Sequence, residues 1–181
     1  FKVQNVETVG SHVSNAQLLS MAAAIEAVST HPIATSIVSE AKAQGIVVEA
    51  SDFVQELAGE GMVGTVDGQQ VLVGNRRLME RYAVQGYPTE PVAYGTEVLV
   101  AEGNVYLGRI IIADEARPDS AEAIADLNGQ DIKTVMLTGD AEASANYIAK
   151  ETGVSAVRAQ LLPQDKLSVV QDIRSEYGPT M

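Results

Sequence analysis

The hydrophobic pattern of the first quarter of the chain predicts two successive helices. Apolar residues recur at helical spacing after Ser14, and Ser14 followed by Gln17 forms a capping box that starts a helix over about 14–29. A second helix begins at Pro32, because a proline in the first turn leaves no N–H group unpaired there. Gly45 is placed to end this second helix.

The middle of the chain predicts antiparallel strands. Asp67-Gly68 lies between two apolar runs and is a strong hairpin turn signal, and Glu102-Gly103-Asn104 turns a second hairpin. A short helix is predicted between the two hairpins. The predicted strands are 47–48, 53–57, 64–66, 70–73, 97–101 and 105–112, and the helix is 75–82.

The pattern changes near Ala113-Asp114, where helices and buried strands begin to alternate. The predicted elements are a helix over 120–128, a strand over 134–137, a helix over 141–150, a strand over 156–159 and a helix over 165–174. Alternation of this kind is typical of a parallel α/β layer. We therefore expect two domains, a hairpin-rich α+β domain followed by an α/β domain.

Composition narrows the classes of function. The chain has 181 residues with no cysteine and two histidines, which excludes a disulfide scaffold, a thiolate site and a His-rich metal cage. A net charge of -12 disfavours nucleic-acid binding, because the phosphate backbone would be repelled. No apolar run approaches the roughly 20 residues that a membrane-spanning helix needs. The chain starts neither with an initiator methionine nor with a signal peptide, so we expect a soluble piece of a longer protein.

The run Gly59-Glu60-Gly61-Met62-Val63-Gly64 matches the pattern G-x-G-x-x-G. A dinucleotide-binding loop of that pattern leads into a helix, whereas this run leads into a predicted strand, so a Rossmann site is disfavoured. Two interpretations remain open. The glycines could let a ligand approach the backbone closely, or they could serve a bulged hairpin that needs positive φ angles.

His31 lies at the junction of the two predicted helices. An imidazole there can contact a ligand near the helix N-terminus, or it can replace the usual N-cap residue. Glu26 interrupts an alanine-rich stretch five residues earlier. It could belong to a solvated helix face, or it could accept hydrogen bonds from an exocyclic amine.

Two further positions could contact a phosphoryl group. Thr138 follows a predicted parallel strand, the end at which open α/β sheets bind ligands, and Asp140 is placed to cap the helix that starts at Ala141. Lys166 lies in the first turn of a predicted helix, where the helix dipole disfavours a cation unless an anion compensates. The alternatives are a plain capped turn and an exposed lysine beside Asp165.

The order of these motifs resembles the large cytoplasmic loop of heavy-metal-transporting P-type ATPases, with features of the zinc/cadmium/cobalt branch. The match runs over nearly the whole chain. The segments that carry it are Glu26…His31-Pro32, Gly59-Glu60-Gly61-x-x-Gly64, Val73-Gly74-Asn75, Asp114-x-x-Arg117, Met136-Leu137-Thr138-Gly139-Asp140 and Leu162-Pro163-Gln164-Asp165-Lys166.

The resemblance implies two domains with separate tasks. Residues 10–113 would form the nucleotide-binding domain, and residues 1–9 and 114–181 would form part of a phosphorylation domain with a haloacid-dehalogenase-like Rossmann fold. The implied nucleotide-binding residues are Glu26, His31, Gly59, Gly61, Gly64 and Gly74. The implied catalytic residues are Thr138, Gly139, Asp140 and Lys166, of which Lys166 would neutralise the transferred phosphoryl group. No metal ligand is assigned.

The resemblance also implies partners and a location. The chain would bind ATP or ADP, while the intact parent would use ATP with magnesium and would join this part to transmembrane and actuator domains. It would be a cytoplasmic domain of an integral cell-membrane protein. The family's Asp-Lys-Thr-Gly segment is expected just before Phe1 and its Gly-Asp-Gly-x-Asn-Asp segment just after Met181, so we expect this chain to be catalytically incomplete.

Two other classes of function compete with this interpretation. A soluble phosphatase with a cap domain would need an Asp-x-Asp motif on a strand before the cap, and residues 1–10 contain none. A nucleotide-sensing module without enzymatic activity would bind the same ligand without any phosphoryl transfer.

Overall fold

The computed structural model describes residues 1–10, 13–51, 53–114 and 118–179. The chain divides into two compact units, residues 1–114 and residues 115–181. The mixed α/β architecture predicted from the sequence is confirmed, with an antiparallel sheet in the first unit and a parallel strand pair in the second.

In its described residues, the first unit contains a six-stranded antiparallel sheet and three helices. Its strands are β1 (Lys2–Thr8), β2 (Val54–Leu57), β3 (Gly61–Val66), β4 (Gln69–Gly74), β5 (Thr96–Glu102) and β6 (Val105–Ala113). Its helices are α1 (Asn15–Glu26), α2 (Pro32–Ala43) and α3 (Arg76–Arg81). The strand order across the sheet is β1-β6-β5-β4-β3-β2.

Strand β1 belongs to the sheet of the first unit. It pairs antiparallel with β6, from Lys2 opposite Ala113 to Thr8 opposite Gly108. The Arg109 guanidinium also contacts the Glu7 carboxylate at 2.6 Å across this pair. The structure therefore differs from the assignment of residues 1–9 to the second domain, because β1 supplies the strand partner that β6 would otherwise lack on that side.

Alternation along the strands gives the sheet one apolar core on each face. On β4, Val71 and Val73 pack in the core beneath α1 and α2, whereas Leu72 packs in the core beneath α3, and all three are fully buried. This alternation follows from the two-residue repeat of a strand, which points successive side chains to opposite faces. The sheet is therefore covered by helices on both sides.

Local signals set most element boundaries. The capping box is confirmed, since the Ser14 hydroxyl accepts a bond from the Gln17 N–H at 3.2 Å and the Gln17 side chain accepts one from the Ser14 N–H at 2.9 Å. The helix ends at Glu26 rather than near residue 29. The predicted strand at 47–48 is wrong, because the Ile46 N–H bonds the Ala41 carbonyl at 2.9 Å and holds this segment at the end of α2.

The second unit alternates helices and strands as predicted. Its elements are α4 (Pro118–Gly129), β7 (Val135–Leu137), α5 (Glu142–Thr152), β8 (Ala156–Arg158) and α6 (Asp165–Tyr177), and β7 pairs with β8 in parallel. Asn128 at the end of α4 links these elements. Its side-chain oxygen accepts bonds from the Thr134 and Ser155 hydroxyls, each at 3.0 Å, and its side-chain nitrogen donates to the Gly153 carbonyl at 2.8 Å.

We expect the second unit to exchange its backbone amides faster than the first. The strands β7 and β8 are each three residues long. Among the described residues of this unit, the buried apolar side chains are those of Ala145 and Ile173. Hydrogen exchange of the dilute chain should therefore show slow exchange in β4 and β5 and faster exchange over 134–160. Uniform protection of both units in a dilute monomer would contradict this expectation.

Candidate functional site

A cavity of about 250 Å³ opens in the first unit where β4 leaves the sheet. Gly74 is the last residue of β4 that pairs with β5, opposite Leu99, so the β5 residues 96–98 continue without a β4 partner. The chain then turns into α3. The cavity is lined by Glu26, Ser29, His31, Ile33, Ala34, Glu56, Leu57, Gly59, Glu60, Gly61, Met62, Gly74, Asn75, Thr96, Glu97 and Val98.

The glycines of the site have different tasks. A Cβ atom at Gly61 would overlap the Val73 carbonyl, and one at Gly74 would overlap the Glu60 carbonyl, so both glycines are needed for β3 and β4 to approach each other. Gly59 has a φ of +73° and free space where a Cβ would stand. Of these three cavity-lining glycines, Gly59 is therefore the one that leaves room for a ligand at the backbone.

Gly64 does not line the cavity, although the resemblance implies a role for it there. A Cβ atom at Gly64 would stand 2.5 Å from the Ile25 Cδ1 atom of α1 and 2.8 Å from the Phe53 carbonyl oxygen. The absence of a side chain at this position therefore lets β3 pack closely beneath α1, which carries Glu26.

Glu26 is the last residue of α1, and its side chain is only 7% exposed. It is therefore not part of a solvated helix face. Burial raises the pKa of its carboxyl group to about 7, and the negative charge of Glu56 acts in the same direction. A carboxyl group with this pKa can accept a hydrogen bond when ionised or donate one when protonated, so it can pair with a ligand that offers both an amine and a ring nitrogen.

The N-cap interpretation of His31 is confirmed, and its contact with a ligand stays a prediction. His31 is the N-cap of α2, where its Nδ1 atom accepts a bond from the Ile33 N–H at 3.2 Å, and its ring also lines the cavity. Because Nδ1 is an acceptor, a neutral ring carries its proton on Nε2. The Nε2–H group is then available as a hydrogen-bond donor.

Asn75 fixes the glycine loop to the start of α3. Its side-chain oxygen caps the helix by accepting bonds from the Arg77 and Leu78 N–H groups at 3.0 and 3.3 Å. Its side-chain nitrogen donates to the Gly59 carbonyl at 2.8 Å, and its own N–H donates to the Glu60 carbonyl at 2.8 Å. Sequence analysis did not assign Asn75 to the site, although an asparagine before a short helix is a capping signal.

In the second unit, Thr138, Gly139 and Asp140 form one compact turn after β7. The Thr138 hydroxyl donates to the Asp140 carboxylate at 2.7 Å and accepts from the Asp140 N–H at 3.1 Å. The prediction that Asp140 caps α5 is therefore wrong, because its carboxylate is engaged by Thr138 and the N-cap position is Ala141, which makes no side-chain capping bond.

The loop after β8 is bonded to the same turn. The Leu161 N–H donates to the Thr138 carbonyl at 3.0 Å, and the Gln160 N–H donates to the Asp140 carbonyl at 2.9 Å. Lys166 is exposed in the first turn of α6, beside Asp165. Arg117, from the Asp114-x-x-Arg117 motif, lies outside the described residues.

Neither a metal cluster nor a membrane-spanning helix is present in the part of the chain that the structure describes. Within residues 1–10, 13–51, 53–114 and 118–179, no three His, Asp or Glu side chains are grouped so that they could hold a metal ion. Within the same ranges, the structure contains no helix with the length and apolar character needed to cross a bilayer.

The comparison with family models decides the family. The model of the haloacid dehalogenase-like hydrolases matches residues 7–181. The chain belongs to this family. The haloacid-dehalogenase-like part of the predicted fold is thereby confirmed.

Individual relatives confirm the resemblance to heavy-metal P-type ATPases. The chain is 40% identical over 167 residues to a cadmium, zinc and cobalt-transporting ATPase of Bacillus subtilis, a match that covers 91% of this chain and 23% of the relative. A crystal structure of a zinc-transporting PIB-type ATPase matches with a TM-score of 0.80 and 31% identity, over 97% of this chain and 29% of the other. The chain spans between 17% and 28% of the length of such curated relatives.

A second similar structure covers only part of the chain. The N-domain of the copper-transporting P-type ATPase HMA8 matches with a TM-score of 0.55 and 28% identity. The match covers 62% of this haloacid dehalogenase-like chain and 99% of the N-domain. Part of this chain therefore has the fold of that N-domain.

We expect Glu26 to make stability depend on pH. Its pKa is raised from 4.5 to about 7 in the folded state, so this group does not oppose folding below about pH 4.5, opposes it increasingly as the pH rises to 7, and opposes it by a constant amount above that. The free energy of unfolding of the wild type, relative to Glu26→Gln, should fall by on the order of 3 kcal/mol between pH 4.5 and 8.

Urea unfolding of both proteins across this pH range measures that difference, because the other titrating groups are common to both. A difference that stays constant with pH would show that the Glu26 carboxyl group is not buried as described.

Proposed function

We propose that the first unit binds ATP and ADP in the cavity beside α3, as the nucleotide-binding part of a heavy-metal P-type ATPase. The observation that carries this proposal is the convergence of Glu26, His31 and Gly59, from three separate segments, on one cavity. The similarity of the chain to zinc- and cadmium-transporting ATPases supports it.

The cavity suits the base and sugar of a nucleotide better than its phosphates. Glu26 would bond the exocyclic amine of adenine, the His31 Nε2–H group would donate to the ligand, and Gly59 would admit the ligand to the backbone. The described residues that line the cavity include no lysine or arginine. The phosphates would therefore point outward, and we expect weak affinity for the isolated chain because no cationic clamp holds them.

Two of the four glutamates that line the cavity are in ion pairs, which lowers their repulsion of an anionic ligand. Glu60 is bonded by Arg81, and Glu97 is bonded by Arg76 at 2.6 Å and by Arg109 at 3.5 Å. An acidic chain can therefore bind a nucleotide through neutral and hydrogen-bonding groups.

We assign domain roles along the same lines. The nucleotide-binding domain would be residues 10–113, extended by β1 to include residues 2–8, and residues 115–181 would belong to the phosphorylation domain. In that second domain Thr138, Gly139, Asp140 and Lys166 would contact the phosphoryl group, with Lys166 offsetting its charge. These assignments rest on the turn after β7 and on the matching motifs.

The whole protein would transport a metal cation and form an aspartyl-phosphate. This chain would lie on the cytoplasmic side of an integral membrane protein, joined to transmembrane and actuator domains. Magnesium would accompany ATP in the intact protein and would offset phosphate charge. The described residues hold no grouped carboxylates that fit a magnesium site, so no step of the reaction is assigned to the metal here.

We expect His31→Ala to weaken nucleotide binding by up to about tenfold, the size expected for the loss of one good hydrogen bond, since His31 is exposed in the free chain. The matched control is His31→Asn, because asparagine can still cap α2 but does not carry the imidazole. Titration calorimetry with ATP should show weaker binding in both variants, and thermal unfolding should show only His31→Ala destabilised. Wild-type affinity in His31→Asn would restrict His31 to a capping role.

We also expect no stable phosphorylation of this chain. Its sequence contains no Asp-Lys-Thr-Gly segment, the position at which the resemblance places the phosphorylated aspartate. Incubation with ATP labelled on the γ-phosphate, followed by acid precipitation, should leave no label that hydroxylamine releases. Stoichiometric labelling would identify a different carboxylate as the nucleophile.

A further inference from the structure

The glycine loop is joined to α3 by a two-pronged ion pair. The Arg81 Nε atom lies 2.6 Å from one carboxylate oxygen of Glu60, and its Nη2 atom lies 2.6 Å from the other. The planar guanidinium matches a carboxylate in this geometry and fixes its orientation as well as its charge. Glu60 lines the cavity and is 18% exposed, whereas Arg81 is 56% exposed.

The ion pair adds a side-chain contact to a stretch of backbone that contains two glycines. Glu60 stands between Gly59 and Gly61, which both have positive φ angles, at 73° and 141°. Glycines lose more conformational freedom on ordering than other residues, so a loop that contains two of them needs external bonds to keep one conformation. Backbone bonds hold the C-terminal side of this stretch, since the Glu60 N–H donates to the Leu57 carbonyl at 2.9 Å and Gly61 pairs with Leu57 and Gly74. The described contacts of Gly59 are fewer, because its backbone is bonded through the carbonyl by Asn75.

We propose that Arg81 is a positioning residue for nucleotide binding, which holds the Glu60 side chain and thereby keeps the Gly59-Glu60-Gly61 backbone in the conformation that admits the ligand. The proposal rests on the proposed function of the cavity. Arg81 itself does not line the cavity, so it would act through Glu60 and not by contact with the nucleotide.

A role in positioning fits this ion pair better than a role in overall stability. Exposed ion pairs contribute little to the free energy of unfolding, and Arg81 is more than half exposed. The hydrogen bond from Arg81 is the main reason why the pKa of Glu60 lies below its usual value, so the pair remains ionised at neutral pH. The fold should therefore tolerate the loss of the pair, while the loop around Gly59 should become less ordered.

A second mechanism would also link Arg81 to nucleotide binding. Arg81 could act by cancelling the negative charge of Glu60, and its loss would then repel the phosphates of ATP. Adenosine distinguishes the two, because it carries the base and sugar without phosphate. Disordering of the loop weakens adenosine and ATP by the same factor, whereas an uncompensated charge weakens ATP alone.

The test compares Arg81→Gln with the matched control Arg77→Gln in the full 181-residue chain. Arg77 is exposed on the same helix and influences Glu60 through its charge, so its loss removes one positive charge and leaves the two-pronged pair intact. Titration calorimetry should show adenosine and ATP each weakened by about five- to tenfold in Arg81→Gln, as expected when a binding loop must be re-ordered. Arg77→Gln should leave the adenosine affinity unchanged.

Two further variants separate positioning from a general structural effect. The exchange Glu60→Arg with Arg81→Glu should restore most of the adenosine affinity, because it restores the pair with reversed charges. Arg81→Lys should restore less, since an ammonium group cannot make the two-pronged contact. The melting temperature of Arg81→Gln should stay within about 2 °C of the wild type, the shift expected for a small change in stability.

A readout without nucleotide completes the test. In the ligand-free protein, amides of residues 59–61 should exchange faster in Arg81→Gln than in the wild type, with β4 unaffected. Wild-type adenosine affinity or unchanged exchange in Arg81→Gln would overturn the positioning role, as would a loss confined to ATP. Failure of the wild type to bind either ligand would instead overturn the proposed function of the cavity.

Discussion

The close approach of β3 and β4 at their glycines is the constraint on which the first unit depends. Gly61 and Gly74 stand opposite each other, and a Cβ atom on either would overlap the backbone of the other strand. Because β4 stops pairing at this point, residues 96–98 of β5 keep an open edge and the chain is free to turn into α3. The cavity exists because β4 ends at Gly74, while the neighbouring strand β5 extends beyond that point.

Glu26 is the part of the site that the fold alone does not explain. A carboxyl group so deeply buried opposes folding when it ionises, and its place in the last turn of α1 adds the negative end of the helix dipole. An alanine or leucine would pack against the same neighbours without this cost. Strongly perturbed carboxyl groups that line a cavity are candidates for ligand binding, and Glu26 meets that description at the same place as His31.

Local patterns predicted those parts of the structure that depend on residues close in sequence. The capping box at Ser14 and the turn at Asp67-Gly68, where both residues have positive φ angles, are of this kind. The alternation of helices and strands after Asp114 could likewise be predicted from the hydrophobic pattern. In each case the physical cause lies within a few residues, so the sequence contains it.

Contacts between distant residues were not predictable in the same way. The pairing of β1 with β6 brings Glu7 to Arg109 across 102 positions, and the pairing of Glu60 with Arg81 crosses 21 positions without any periodic signal. The roles of the glycines were also not predictable from their spacing. Sequence spacing grouped Gly59, Gly61 and Gly64 in one motif, but the structure separates them.

Those three glycines differ because each faces a different neighbour. At Gly61 the neighbour is the β4 backbone, at Gly64 it is α1, and at Gly59 there is free space beside the cavity. A residue type repeated within a motif therefore need not repeat its function. Close packing accounts for Gly61 and Gly64 without reference to a ligand. At Gly59, which Asn75 holds through its carbonyl, the positive φ angle favours glycine and the free space leaves the backbone accessible from the cavity.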